Sequence, residues 1–342
     1  MKKGVLIVTV ILATVLLLGL GTAMARDAIL FPFFSSGGGD VTFFQIINTA
    51  KVQTAITGTS QGSLDYVYVY NSSATKEVCT HYDDKGRVTQ NDILLYEATG
   101  VYPGQLLPGD TTSTSPKLTI SPAYGYLTVR HNTSNFATGL EGTLFGQAYV
   151  ANINTGTVFA YNAVNDPSEY DDYAFYENAA DDFIISFLPE TLASTMWYLF
   201  PVDDSDLTTD TVFNVYVQIG PDGDGILNPN GIFDNNESLK SATKYLKAGC
   251  WDTTLSPNDG SEGDAGAEPV SANFFYTLAQ IMSGAQYNAV KGTGGFTELY
   301  WEDYGYTYKI QSSSVLGKPM NIFMYEPGFS SSDGSAYYSY TK

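Results

Sequence analysis

Histidine and cysteine are almost missing from this chain. Its 342 residues include two histidines, His81 and His131, and two cysteines, Cys79 and Cys250. No Cys-x-x-Cys pair occurs, which removes covalent haem attachment and the cysteine-rich zinc sites. Cys79-Thr80-His81-Tyr82-Asp83-Asp84 gathers soft and hard ligands in one short stretch, but a zinc site needs more protein ligands in a tetrahedral set. A Ser-His-Asp hydrolase is arithmetically open, and nothing in the sequence orients a base toward a serine. A phosphate loop and a dinucleotide fingerprint are both lacking. Basic residues are also scarce, with 16 Lys and Arg against 36 Asp and Glu and a net charge of −20. Such a charge repels nucleic acid and anionic lipid, and both are excluded as partners. It suits divalent cations, or it simply keeps the chain soluble.

What is present begins with an address. Lys2 and Lys3 precede an apolar run from Val5 to Leu20, and Thr22-Ala23-Met24-Ala25 follows. A charged start, an apolar core and a small-x-small ending describe a secretory signal peptide over residues 1–25, with Arg26 as the first mature residue. An uncleaved anchor is the alternative, although the run is shorter than the ~20 residues that span a bilayer. Removing Lys2 and Lys3 lowers the basic residues from 16 to 14 and takes the net charge from −20 to −22. No later stretch is apolar enough to span a membrane as a helix, so no integral span is expected after cleavage.

Aromatic residues are plentiful, 26 of them tyrosine. Tyrosine suits half-buried strands, with its ring inside and its hydroxyl at the wet edge. Alternation of period two recurs along the chain. Leu64, Tyr66, Tyr68 and Tyr70 share one strand face, and Phe213, Val215, Val217 and Ile219 share another. Tyr304, Tyr306 and Tyr308 form a third such set. Phe145–Ala151 and Thr157–Ala163 read as two strands around a turn closed by Gly156. Two stretches, Ile184–Phe200 and Ala272–Ser283, read as helices. The fold class expected is mainly β: an antiparallel β-sandwich architecture, in two β-rich units with one or two short helices. The units run over residues 26–165 and 166–327, with a Ser, Gly and Tyr-rich tail over 328–342.

Four constellations are candidates for chemistry. In the loop from Pro221 to Glu237, Asp222, Asp224, Asn228, Asn230 and Asp234 alternate with glycine. Closely spaced hard oxygens in a glycine-rich loop are how a chain presents a site to Ca²⁺. The spacing departs from an EF-hand, since the fifth position from Asp222 is Ile226. A metal-free Asp/Asn/Gly loop is the alternative. Cys79 and Cys250 can form a disulfide in an exported chain, or remain two buried thiols. Across so long a loop the bond would contribute roughly 5 kcal/mol in the chain-entropy picture. Tyr300, Trp301 and Tyr304 are candidate stacking residues for a polysaccharide ring, or one buried face of a strand. Glu298 and Glu302 flank them as the carboxylate pair a glycosidase would need.

The first half carries a resemblance. Ile29-Leu30-Phe31-Pro32-Phe33, Thr42-Phe43-Phe44-Gln45-Ile46-Ile47-Asn48, Cys79 to Gly86, Gly125-Tyr126-Leu127-Thr128-Val129 and Leu144-Phe145-Gly146-Gln147-Ala148 stand in order. This pattern resembles a group of uncharacterised, exported, β-rich envelope and surface proteins of Gram-negative bacteria. The resemblance implies export and a β-sandwich, and no activity. Together these features lead to the expectation of a non-catalytic structural or interaction protein of the bacterial envelope, such as a surface-layer, adhesive or filament subunit. It would lie at the cell surface or in the periplasm, associating with itself or with other envelope proteins. The alternative is a carbohydrate-binding or glycoside-hydrolysing secreted protein that uses the residues around Trp301.

Overall fold

Strands form where β-branched and aromatic residues alternate, and glycine-rich turns reverse them. The computed structural model describes residues 28–52, 62–72, 77–99, 117–132, 136, 143–154, 156–166, 180–202, 214–219, 231–240, 244–251, 271–273, 275–282, 284–313, 315, 320–325 and 328–329. It is mainly β, and among these residues every strand pairing is antiparallel.

The described strands make three sheets. The middle sheet holds β1 (Ala28–Ser36), β3 (Gly62–Ser72), β4 (Glu77–Val88), β6 (Ala123–His131) and β9 (Val164–Asp166), in the order β4-β3-β6-β1-β9. The outer sheet holds β2 (Asp40–Asn48), β5 (Asp92–Glu97), β7 (Leu144–Asn152) and β8 (Thr157–Asn162), in the order β5-β2-β7-β8. The third sheet is built from later residues. Its strands are β10 (Ala180–Phe187), β11 (Ser194–Val202), β12 (Asn214–Ile219), β13 (Ile232–Asp234), β14 (Leu239–Lys240) and β15 (Lys244–Trp251). With them stand β16 (Ser271–Asn273), β17 (Phe275–Thr277), β18 (Gly295–Ser313), β19 (Met320–Tyr325) and β20 (Gly328–Phe329). The long β18 is its spine, pairing with β10, β11, β12, β13 and β19. Two short helices, α1 (Leu278–Ile281) and α2 (Gly284–Val290), lie between β17 and β18.

The middle sheet is covered on both faces. Toward the outer sheet, Phe31 meets Phe44 edge-on at 4.8 Å, and Tyr66 meets Tyr96 at 6.2 Å. Toward the third sheet, Tyr126 meets Phe200 at 5.0 Å, and Phe33 meets Tyr198 at 5.3 Å. One buried cluster therefore runs from Ile29 through Phe44 and Tyr68 to Tyr198 and Tyr308. A second cluster, around Phe183, Trp197, Leu278 and Leu299, lies within the third sheet and its helices.

Tyrosine hydroxyls tie the layers together. β1 carries a bulge between Phe31 and Phe34, and Pro32 has no N–H to offer a ladder. The carbonyls left over there are taken by side chains: Tyr198 donates to Pro32 and Tyr161 to Phe33. The Phe33 N–H also donates to the Tyr161 hydroxyl, at 3.3 Å. The Tyr68 and Tyr96 hydroxyls bond each other at 3.1 Å. Burial pushes the pKa of all four tyrosines upward.

Two expectations require correction. Ile184–Phe200 is not a helix but β10, a turn and β11. Pro189 breaks the run, its carbonyl receiving the N–H groups of Leu192 and Ala193. Phe183, Ile185 and Phe187 are then buried with period two. Ala272–Ser283 is helical only over Leu278–Ile281, because Phe275–Thr277 pairs with β11 first.

Candidate functional site

The chain turns from the middle sheet into the outer sheet through three consecutive glycines. Gly37, Gly38 and Gly39 have φ of 86°, 64° and 104°, conformations that side-chain-bearing residues rarely adopt. Gly37 and Asp40 exchange both backbone hydrogen bonds at 2.9 Å. The turn is locked to the β7–β8 hairpin, where Ile153 N–H donates to the Gly39 carbonyl at 2.8 Å and Asn154 Nδ2 to the Gly38 carbonyl at 3.1 Å. A Cβ on Gly39 would lie 2.2 Å from Asn154 Nδ2.

This arrangement fixes Asp40. Its Oδ2 accepts from Ser35 Oγ at 2.8 Å, and its Oδ1 accepts from Asn152 Nδ2 at 2.7 Å. Both donors are neutral, and no Lys or Arg among the described residues pairs with the carboxylate. Asp40 borders a cavity of about 370 Å³ where the three sheets meet. Half-buried aromatic rings form its walls: Tyr124 from the middle sheet, Phe159 from the outer sheet and Phe275 from the third. Phe33 lies against Phe159 at 6.2 Å and against Phe275 at 5.1 Å. Met196 and Ile310 complete the apolar side. A mostly apolar concavity with a few convergent polar groups is the general form of a small-molecule site.

His131 occupies a separate buried position. It is 1 % exposed, and its Nε2 lies 2.8 Å from Asn48 Oδ1. Asn48 Nδ2 donates to the Thr89 carbonyl at 2.7 Å, and Thr89 donates to Asp92. The chain of bonds joins the middle sheet to the outer one. Burial lowers the His131 pKa from 6.5 to about 4, so the ring is neutral at neutral pH. No nucleophile adjoins it among these hydrogen bonds.

The residues singled out from sequence are dispersed. Asp222, Asp224, Asn228 and Asn230 lie outside the described residues. Asp234 is described, and its carboxylate holds a turn. Its Oδ1 accepts from the N–H groups of Asn236 and Ser238, both at 2.9 Å, and its Oδ2 lies 3.5 Å from Lys240 Nζ. Those bonds, the Ser238 N–H foremost, lower its pKa. Among the described residues no three His, Cys, Asp or Glu side chains converge on one point. Cys79 lies on β4 and Cys250 on β15; Cys250 pairs with Ala272 of β16, and β16 lies beside β4. The cysteine side chains fall outside the described set. Tyr300, Trp301 and Tyr304 all lie on β18, paired in register with Gln218, Val217 and Val202. Tyr300 is half-buried, while the side chains of Trp301, Glu302 and Tyr304 are not among those described. Glu298 is completely buried, so a polymer has no path to its carboxylate.

Two further features bear on the search for a site. One is the cavity beside Asp40, whose lining comes from eight separate strands; its local signal is the glycine triplet before an aspartate. The other is Gly58-Thr59-Ser60-Gln61-Gly62, which has the Gly-x-Ser-x-Gly spacing. A nucleophile elbow follows a strand and opens a helix, whereas this one ends at Gly62, the first residue of β3. No described helix is long and apolar enough to cross a membrane. Compared with protein-family models, with curated proteins and with solved structures, the chain matches none.

Proposed function

We propose that this chain is an exported, non-catalytic structural or interaction protein of the bacterial envelope, and that it associates with a second copy of itself through the open face of the outer sheet. The observation that carries this reading is the make-up of that face. Ile47 stands opposite Ile93 on one side and Phe145 on the other. The next row outward holds Leu95, Gln45, Gln147 and Asn162, and the row after it Phe43, Tyr149 and Ala160. Val158 closes the surface opposite Ala151. Ile93, Phe145 and Val158 are 45 %, 46 % and 58 % exposed. The one carboxylate in these rows, that of Glu97 opposite Phe43, belongs to a residue that is 1 % exposed.

A neutral face on a chain of net charge −20 selects its partner. Two like-charged copies repel over most of their surfaces and meet at least cost where neither presents a charge. The face measures roughly 14 Å across three strand spacings and 20 Å along six residues. With side chains at its margins each copy would bury on the order of 500 Å², so the pair stands at the low end of specific interfaces. Association is then weak and driven by concentration, as suits a subunit crowded on a surface.

Sedimentation velocity from 1 to several hundred micromolar tests the reading. A reversible dimer is expected for the chain without residues 1–25, with monomer at every concentration for Phe145→Glu. A wild-type chain that stays monomeric throughout, or dimers untouched by Phe145→Glu and Ile93→Lys, would overturn it. Export is tested separately, by locating the protein after cell fractionation.

A further inference from the structure

We propose that the cavity beside Asp40 is a binding site for a small organic cation, an ammonium group carried on an apolar or aromatic body. Among the described residues the Asp40 carboxylate receives hydrogen bonds from the neutral donors Ser35 and Asn152 alone, one on each oxygen. Each carboxylate oxygen therefore keeps accepting capacity, and no basic residue among those described balances the charge. The same cavity presents the rings of Phe33, Tyr124, Phe159 and Phe275. Aromatic faces are electron-rich and attract cations, the more so when water is displaced. An anion toward the sheet-joining turn and aromatic walls beyond it complement a cationic head and an apolar body together.

The surroundings make this a built feature. Asp40 cannot turn away from the cavity without breaking two short hydrogen bonds and the glycine turn that carries it. A volume of about 370 Å³ accommodates a compact amine. The net charge of −20 raises the local concentration of cations and lowers that of anions. Val150 and Phe159, which line the cavity, alternate along their strands with Tyr149, Ala160 and Val158 of the face proposed for self-association, so the two proposals are tested separately.

The experiment uses 2-phenylethylammonium as the probe, with 2-phenylethanol as its neutral counterpart. Methyl NMR on selectively labelled protein reads the position directly, because Met196 and Ile310 line the cavity. Saturable shifts at these two methyls are expected with the amine, with at least tenfold weaker binding of the alcohol and a loss of affinity as salt rises. Asp40→Asn should abolish the preference for the charged probe. If that variant fails to fold, the comparison of the two probes on the unaltered chain still decides the matter. Equal affinity for amine and alcohol, shifts confined to other methyls, or no binding of the amine at millimolar concentration would overturn the proposal. So would a methyl glycoside that binds the cavity more tightly than the amine.

Discussion

Replacing Tyr161 by phenylalanine removes one oxygen atom and changes almost no apolar area, yet it should be among the costlier substitutions in this chain. The hydroxyl of Tyr161 donates to the Phe33 carbonyl and accepts from the Phe33 N–H. Phe33 lies at the bulge of β1, outside the ladder with β6, and is 6 % exposed. Among the described residues neither backbone group has another hydrogen-bond partner. A buried polar group left without its partner costs about 1–3 kcal/mol, so orphaning two costs about 2–6 kcal/mol. With a urea slope of about 3 kcal/mol per molar, the unfolding midpoint falls by about 0.7–2 M. Tyr149→Phe is the control, since that hydroxyl bonds Gln147 on the solvent face and its loss should cost under about 0.5 kcal/mol. Equilibrium urea unfolding followed by tyrosine fluorescence gives both values, and amide exchange at Phe33 should accelerate in Tyr161→Phe alone. A shift no larger than that of the control would show that Phe33 finds its hydrogen bonds elsewhere and would refute the account of the bulge.

Three further outcomes follow from the same packing. His131 has a pKa lowered to about 4, so the unfolded chain takes up its proton first as pH falls; stability is unaffected well above 6.5 and declines between 6.5 and 4. From pH 7.5 to 5 the loss is about 2 kcal/mol from this group, and a pH series of urea midpoints should show that much less loss in His131→Gln. Tyr68, Tyr96, Tyr161 and Tyr198 all have raised pKa values, so their contribution is whole below pH 10 and falls as pH rises past it. Four such groups steepen alkaline unfolding to about 5 kcal/mol per pH unit, and tyrosinate absorbance at alkaline pH should appear for these residues only as the fold is lost. Finally, intact mass with and without reductant is expected to show Cys79 and Cys250 bonded in exported protein; two free thiols would end that proposal.

The strands were legible because alternation of aromatic and β-branched residues is a local signal. Leu64 to Tyr70 reads as a strand and is one, and the hairpin at Gly156 closes where its glycine indicates, with φ of 73°. Layering was not legible. The alternation of Tyr66, Tyr68 and Tyr70 with Val67 and Val69 implies one wet face, but all five are buried, since a sheet packs on either side. The two strands across Pro189 read as a helix because a short apolar run fits either period, and pairing with β18 decided between them. Asp40 gave no signal as a site residue, because its partner Asn152 lies 112 residues away and the rings around it come from strands distant in sequence.

The middle sheet also sets the order of events in time. β1 is the first of the described strands, and its partners in the sheet begin only at Ala123 and end at Asp166. Its second face waits longer, for Tyr198, Phe200 and Tyr308. A chain emerging N-terminus first therefore cannot finish its opening strand until nearly all the rest has been delivered. Pairings so distant in sequence form slowly. A polypeptide that stays open until its last strands arrive keeps its first strand unpaired through most of its synthesis, and it becomes rigid late and all at once.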